Sequence, residues 1–447
     1  MIKSTIKIKR IMKKVGVISL GCPKNLVDTE AMLGQLVDKG YSIATDPADS
    51  EIVIINTCGF IEPAKKESIE TILRAARLKE KDPDKKLIVA GCLVQRYGKQ
   101  LREQLPEVDH FVSLNDVERI VEACGQEFEE RLEAEPAEYI YDGKVRRIIT
   151  TPTSYAYLKI AEGCDHVCAF CAIPSMRGAY RSRTISSICT EAADIATQGI
   201  KELVLISQDS TIYGSDLGLK DGLALLVDEL CKTDGIEWIR VMYSYPNSLR
   251  QSFLDVMARQ EKVCRYIDMP LQHASGPVLA RMKRGGNADV YRKMIENIRR
   301  TVPGIAIRTT FIAGFPGETD EDFDTLLNFV RVIEFDRVGV FLYSDEESTS
   351  GYDLLPKVPY KIKVQRRKEL MTLQSDISRN RNRQYIGHHL RTIVDGVDSR
   401  GILARMYSQA PDIDGIVRIQ GDQALPGDFL DVRITGAGEY DLRARLM

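Results

Sequence analysis

Long apolar runs are missing from this sequence. None approaches the roughly 20 residues of a membrane span, so no transmembrane helix is expected. An excess of one charge is missing too. Lys plus Arg number 62 and Asp plus Glu 64, a formal net charge of -2. That balance does not demand nucleic acid, although local asymmetry can hide inside it. Internal repeats and low-complexity tracts are absent. Hydrophobic residues are 44% and charged residues 28% of 447. This excludes disordered, collagen-like and fibrous chains. Ten cysteines are too sparse for a small secreted disulfide scaffold. The opening MIKSTIKIKRIMKK is basic, but no apolar stretch of roughly 7–15 residues and no small-residue cleavage site follows it. It reads as a disordered start, with Met12 as an alternative initiator. Reduced cysteines in the cytoplasm are the expectation.

At roughly 150 residues per domain the length suggests about three domains. In the first region, 12–145, strands are expected over 15–20, 52–55, 87–90 and 111–114, with helices over 28–39 and 63–79 between them. Strand–helix alternation implies a doubly wound parallel sheet. The polar stretch 129–144 reads as a linker. The second region, 150–384, offers six strands, over 155–161, 202–207, 238–244, 266–271, 307–313 and 337–343. Helical segments such as 186–198, 223–231 and 321–333 separate them. Six βα units predict a partial (β/α)6 barrel, short of the eight of a complete one. A basic helix is expected over 361–383. The third region, 385–447, alternates apolar and polar residues over 430–434 and 440–446. With Gly421, Gly427, Gly436 and Gly438 at turns, it predicts a small antiparallel β-barrel.

Cys164, Cys168 and Cys171 stand within eight residues, directly after the first barrel strand. Such a loop can wrap one compact metal centre. Zinc is the usual rival, but a structural zinc site wants four ligands. His166 is the fourth on offer, and its place between two thiols on a tight loop disfavours it. Three unrelated structural cysteines are a weaker reading still. Three thiolates suit a [4Fe–4S] cluster with one iron left without a protein ligand. That iron can bind S-adenosylmethionine through its amino and carboxylate groups. The spacing, the place after strand one and the partial barrel resemble the radical S-adenosylmethionine superfamily. The resemblance implies reductive cleavage of the cofactor to a 5′-deoxyadenosyl radical, which abstracts hydrogen from an unactivated carbon.

Barrel enzymes keep their chemistry at the carboxyl ends of the strands. Those ends carry Gln208 and Asp209, His273, and Gly314 with Gly317. All five are candidate S-adenosylmethionine contacts, the glycines by letting backbone approach a ligand. The competing reading of the polar ones is a barrel-end cap. The glycine segment is no phosphate loop, because the Gly-Lys-Ser/Thr ending is missing.

A second set of thiols is spread through the first region. Cys22, Cys58 and Cys92 each follow an expected strand by one to three residues. In an open parallel sheet those ends share the edge where ligands bind. A glycine beside each leaves room for a bulky inorganic body. Cys124, Cys189, Cys231 and Cys264 lack such settings and read as buried small hydrophobes.

Three regions in this order resemble the methylthiotransferases, from about Lys14 onward. In that family the terminal barrel is called the TRAM domain. The resemblance implies that Cys22, Cys58 and Cys92 ligate an auxiliary [4Fe–4S] cluster that carries or delivers sulfur. It implies that Cys164, Cys168 and Cys171 ligate the radical cluster. Two molecules of S-adenosylmethionine are used, one for the methyl group and one for the radical. An electron donor such as flavodoxin or ferredoxin and a sulfur donor are implied as partners. Of the two large branches, one modifies an adenosine beside the anticodon of transfer RNA. The RimO-type branch modifies an aspartate β-carbon of small-subunit ribosomal protein twelve, giving 3-methylthioaspartate. Gly21-Cys22-Pro23-Lys24-Asn25, Ala161-Glu162-Gly163-Cys164-Asp165-His166, Leu205-Ile206-Ser207-Gln208-Asp209 and Pro270-Leu271-Gln272-His273 resemble the RimO-type branch. Ser210 and Asp412 depart from its commoner Thr and Glu.

Over residues 386–447 there are seven arginines, no lysine and nine acidic residues, a net of -2. An RNA-binding barrel would be basic, with aromatics on its strands. The acidic balance instead suits docking a basic protein, with Asp412 and Asp414 expected on the docking face. The RNA alternative survives on Arg366, Arg367, Lys368, Arg379, Arg381 and Arg383 of the basic helix. A non-enzymatic zinc or RNA-binding module is a third reading, separated from the enzyme readings by an iron and sulfide assay.

Overall fold

The computed structural model describes residues 13–125, 128–133 and 135–447. The basic start and Met12 lie outside the described residues. The chain forms two compact units, Met1–Ile148 with Ser175–Arg177, and Ile149–Pro174 with Gly178–Met447.

The first unit is built on β1 (Lys14–Ser19), β2 (Ser42–Ile43), β3 (Ile52–Thr57), β4 (Lys86–Gly91) and β5 (His110–Val112), all parallel in the order β2-β1-β3-β4-β5. Four helices alternate with them: α1 (Pro23–Asp38), α2 (Glu62–Lys81), α3 (Cys92–Gln104) and α4 (Ile120–Cys124). Period-2 side-chain alternation divides the core. Ile52 and Ile54 pack with Met32, Leu36 and Ile120 on one face. Val53 and Ile55 pack with Ile72, Leu93 and Leu101 on the other. Both faces of β3 are therefore covered, which is why its residues read as an unbroken apolar run.

The expected linker is instead fixed to this unit. Arg102 Nε of α3 donates to Glu130 Oε2 at 3.0 Å, and the backbone N–H of Phe111 donates to Glu130 Oε1 at 2.9 Å. Leu132 packs against Gly98. Further on, Arg147 pairs with Glu30 at 3.1 Å, both side chains buried. Glu130, one of the acids that made the segment look solvated, thus meets a basic group and a backbone donor.

In the second unit, β6 (Tyr155–Lys159) leads to a short hairpin, β7 (Ala161–Glu162) and β8 (Arg181–Ser182). Between them lies α5 (Ile173–Arg177), whose last residues belong to the first unit. Five βα repeats continue through α6 (Ile185–Thr197), β9 (Glu202–Ile206), α7 (Gly222–Leu230), β10 (Trp238–Val241), α8 (Gln251–Arg259), β11 (Tyr266–Asp268), α9 (Gly276–Arg281), α10 (Ala288–Thr301), β12 (Ala306–Ala313), α11 (Asp320–Ile333), β13 (Arg337–Leu342) and α12 (Tyr360–Arg383). The strands form two parallel sheets, β10-β9-β6 and β11-β12-β13. A parallel bridge between Ile239 and Val263, and a 2.8 Å bond from Ser244 N–H to Asp268 C=O, join them into one arc of six. The arc is open: among the described residues β6 and β13 each pair on one side only. One large apolar core fills the space between strands and helices.

The terminal segment is a closed barrel in the order β14-β15-β16-β18-β17, from β14 (His389–Asp398), β15 (Gly401–Met406), β16 (Val417–Ile419), β17 (Phe429–Ala437) and β18 (Leu442–Leu446). It departs from the all-antiparallel expectation in one pair, β16 with β18, which is parallel. Val432, Ile434, Leu442 and Ala444 point into its core. Tyr440, expected in the last strand, precedes it and is exposed.

This barrel closes the amino-terminal mouth of the arc. Glu202, the first residue of β9, is fully buried between Arg405 and Arg240, each at 2.7 Å. Tyr155 and Tyr157 of β6 donate to Asp412 Oδ2 at 2.8 and 3.2 Å. Tyr266 of β11 donates to Asp414 Oδ2 at 2.8 Å. Burial first pushes both phenols of β6 up, with the Asp412 carboxylate adding to it at Tyr155 and the neighbouring Tyr155 and then Asp412 at Tyr157, which keeps them protonated donors. Asp412 and Asp414 thus tie the barrel to the strands; the Asp414 side chain is buried, which corrects the expectation that it faces a partner, while Asp412 stays exposed. The carboxyl ends of the strands stay free for chemistry.

Candidate metal centres

In the first unit, β1, β3 and β4 are adjacent, and a cysteine follows each. Cys22 caps α1 in extended conformation, with Pro23 fixing the first helical φ. Cys58 follows β3. Cys92 opens α3, preceded by Gly91 at φ +99°, ψ -157°. That conformation is essentially restricted to glycine. A Cβ on Gly21 would sit 3.1 Å from Cys58 Sγ, and one on Gly59 would sit 2.8 Å from the Cys92 carbonyl oxygen. The sheet therefore brings the three turns together, as parallel strand ends imply. Burial, then the neighbouring Cys92 and Cys22, push the Cys58 thiol up to about 12. Burial likewise raises Cys92, opposed by Arg177. Crowded buried thiols are poor anions alone, and binding a cation relieves them.

Arg177, which the sequence reading missed, belongs to this unit. Its Nη2 lies 3.3 Å from Cys92 Sγ and 2.5 Å from Asn25 Oδ1, and its Nη1 lies 3.1 Å from Asp28 Oδ2. Asn25 also donates to the carbonyls of Leu20 and Thr57 at 3.1 and 2.9 Å, tying α1 to the ends of β1 and β3. No local pattern announces an arginine six positions after Cys171.

In the second unit, Cys164, Cys168 and Cys171 lie on the loop after β7, all part-exposed. Gly163 at φ +80° lets the loop leave the strand, where a Cβ would stand 2.0 Å from the Ala179 carbonyl oxygen. Backbone bonds from Cys164 to Gly178 at 3.1 Å and from Ala169 to Met282 at 2.9 Å hold it. Burial first, with added repulsion from neighbouring thiols, pushes Cys164 up to about 11 and Cys171 up to about 12. His166 does not join them. Its Nε2 bonds Asp209 Oδ2 at 2.7 Å and its ring stacks on Tyr245, centroids 3.7 Å apart. That removes the fourth ligand a zinc reading needed. Among the described residues no three His, Cys, Asp or Glu side chains form a group that could hold a single metal ion. Both thiol sets fit a larger, multi-iron body on donor chemistry: soft thiolates, three per site, with glycines where the turns crowd.

The other sequence candidates are placed as follows. Gln208 donates to Glu162, which Lys159 also binds at 2.8 Å. Asp209 is buried, with Oδ2 on His166 and Oδ1 accepting from Thr211 N–H at 2.9 Å. His273 is fully buried; its Nδ1 accepts from Ser275 N–H at 3.0 Å and its Nε2 lies 3.6 Å from Glu318. Gly314 and Gly317 both have φ +79°, but the space beside them is filled by Lys363 and Arg281. Their freedom serves the turn and the chain's own packing. Of the six basic residues singled out on α12, three form ion pairs: Arg366 with Glu318 and Asp320, Arg379 with Asp376, and Arg381 with Asp336.

Three family descriptions match successive parts of the chain: Uncharacterized protein family UPF0004 over residues 14–113, the Radical SAM superfamily over 158–330 and the TRAM domain over 386–447. The ribosomal protein uS12 methylthiotransferase RimO of Solibacter usitatus is 49% identical, covering 97% of this chain and 95% of its own. The protein of the same name from Symbiobacterium thermophilum is 46% identical over 96% and 90%. The chain belongs to the RimO methylthiotransferase family. Among solved structures, the radical S-adenosylmethionine methyltransferase TsrM from Kitasatospora setae has a TM-score of 0.57 at 15% identity, covering 76% of this chain and 77% of its own. That likeness is one of fold. Family membership makes the chain a radical S-adenosylmethionine enzyme that works with an iron–sulfur centre and S-adenosylmethionine. No helix among the described residues is long and apolar enough to cross a membrane.

Proposed function

We propose that this chain methylthiolates the β-carbon of an aspartate on small-subunit ribosomal protein twelve, giving 3-methylthioaspartate. Cys164, Cys168 and Cys171 hold the radical [4Fe–4S] cluster, and Cys22, Cys58 and Cys92 hold an auxiliary one. The observation that carries this reading is that one three-thiol set follows the carboxyl ends of the parallel strands β1, β3 and β4 while a second stands on the single loop beyond β6 and β7, in a chain of this family. When bound, the radical-site cluster supplies the electron for cleaving S-adenosylmethionine.

The chain's own residues hold and orient. The Gly163 turn and the Ala169–Met282 bond fix the thiol loop. Asp209 holds the His166 ring, and Glu162 holds Gln208 toward the same strand ends. Gln208, Asp209, His273 and the 314–317 turn shape the S-adenosylmethionine pocket, His273 from behind through Glu318. The terminal barrel closes the far mouth, so substrate enters at the carboxyl rim. A flavodoxin- or ferredoxin-type donor and a sulfur donor complete the system in the cytoplasm. The test is iron content after anaerobic reconstitution. About eight irons per chain are expected from two clusters. Each triple Cys→Ala variant should keep about half, and a triple variant that keeps wild-type iron would refute the two-site assignment.

A further inference from the structure

A buried cation touches one radical-site thiol. Arg284, between α9 and α10, is 8% exposed. Its Nη1 lies 3.5 Å from Cys168 Sγ and its Nη2 donates to the Pro270 carbonyl oxygen at 2.8 Å. The guanidinium lies over the Tyr245 ring, 4.2 Å from the centroid. Tyr245 stacks on His166 at an interplanar angle of 11°, and His166 is held by Asp209. Among the described residues no carboxylate pairs with Arg284, and its buried Nε has no hydrogen-bond partner. Burying a charge without a counter-charge is costly. The group within reach that becomes an anion on ligating a cluster is the Cys168 sulfur.

We infer that Arg284 is a positioning residue of the radical site: it donates a charge-assisted N–H···S bond to the Cys168 thiolate and raises the reduction potential of the cluster held there. This rests on the proposed assignment of Cys164, Cys168 and Cys171. The physical reason is that reduction adds negative charge to the cluster and its sulfurs, and a fixed cation favours that state. Tyr245 carries the guanidinium on its face. Through His166, between Cys164 and Cys168, the same ring braces the thiol loop. An aromatic ring, not its hydroxyl, does this work.

The test is the midpoint potential of the cluster whose EPR signal responds to added S-adenosylmethionine, measured on anaerobically reconstituted holoenzyme. Arg284→Gln should lower the reduced-to-oxidised ratio at a fixed potential by about tenfold, since hydrogen bonds to charged groups are worth about that. For one electron this is a midpoint about 59 mV more negative. Arg284→Lys, which keeps the charge and loses the fork, should fall between. Tyr245→Leu should shift the same way, and Tyr245→Phe should keep the wild-type value. An unchanged midpoint in Arg284→Gln with wild-type iron content overturns the inference. If Arg284→Gln holds no iron, the Tyr245 pair decides: equal potentials in Leu and Phe overturn it. A wild-type protein with no S-adenosylmethionine-responsive cluster overturns the site assignment itself, a failure visible before any variant is compared.

Discussion

Glu202 Oε2 and Arg405 Nη1 meet at 2.7 Å with both side chains essentially buried, the first residue of β9 against a strand of the terminal barrel. Burial alone would raise the Glu202 carboxyl, but Arg405 and Arg240 outweigh it and hold the group below the usual carboxylate range. A depressed carboxyl contributes stability above its unfolded value, about 4.3, and that stability is lost as pH falls through the folded value.

Glu202→Gln should therefore destabilise the second unit near neutral pH by about 3 kcal/mol, because two arginines lose a buried counter-charge. The gap between wild type and variant should begin to narrow as pH falls through about 4.3, where the unfolded chain takes up the proton, and close only below the depressed folded value. Thermal unfolding across pH checks this; a gap of constant size from neutral to acid would contradict it.

Asp414 accepts from Tyr266 and lies 3.6 Å from Arg308. Asp414→Asn should cost about 2 kcal/mol, the worth of a buried bond to a charged group. The loss should appear as faster proteolysis between α12 and the terminal barrel. Salt-dependent binding of a basic protein, with stability unchanged, would return Asp414 to the role of a docking residue.

Gly91→Ala places a Cβ 2.2 Å from Asn56 Oδ1 and 2.7 Å from the Thr57 carbonyl oxygen. The strained backbone should cost about 2 kcal/mol. Iron should fall toward half, with the S-adenosylmethionine-responsive signal retained. Full iron at wild-type stability would show that the turn tolerates a side chain.

Cys168→Ala should abolish reductive cleavage of S-adenosylmethionine. Cys92→Ala should leave cleavage running while sulfur transfer stops. 5′-Deoxyadenosine formed at the wild-type rate by Cys168→Ala would break this division of labour.

Much of this was legible in the sequence because parallel strands buried on both faces leave apolar runs, and a thiol just past each run must land on one edge of the sheet. Sheet order then brings Cys22, Cys58 and Cys92 together across long sequence separations. Arg177 and Arg284 were not legible. Each acts through contacts distant in sequence, and nothing periodic marks it. Asp414 misled for a related reason: net charge over a segment says nothing about which carboxylate turns inward to meet Tyr266. The stretch 129–144 misled because Glu130 looks solvated until α3 supplies Arg102.

The substrate is the most direct test. Reconstituted wild-type enzyme, reductant, a sulfur source and S-adenosylmethionine should be given small-subunit ribosomal protein twelve and transfer RNA in one reaction, with intact masses measured for both. The protein should gain about 46 Da, one SCH3 replacing one H, located to an aspartate. A gain of that mass on transfer RNA, with the protein unchanged, would contradict the assignment.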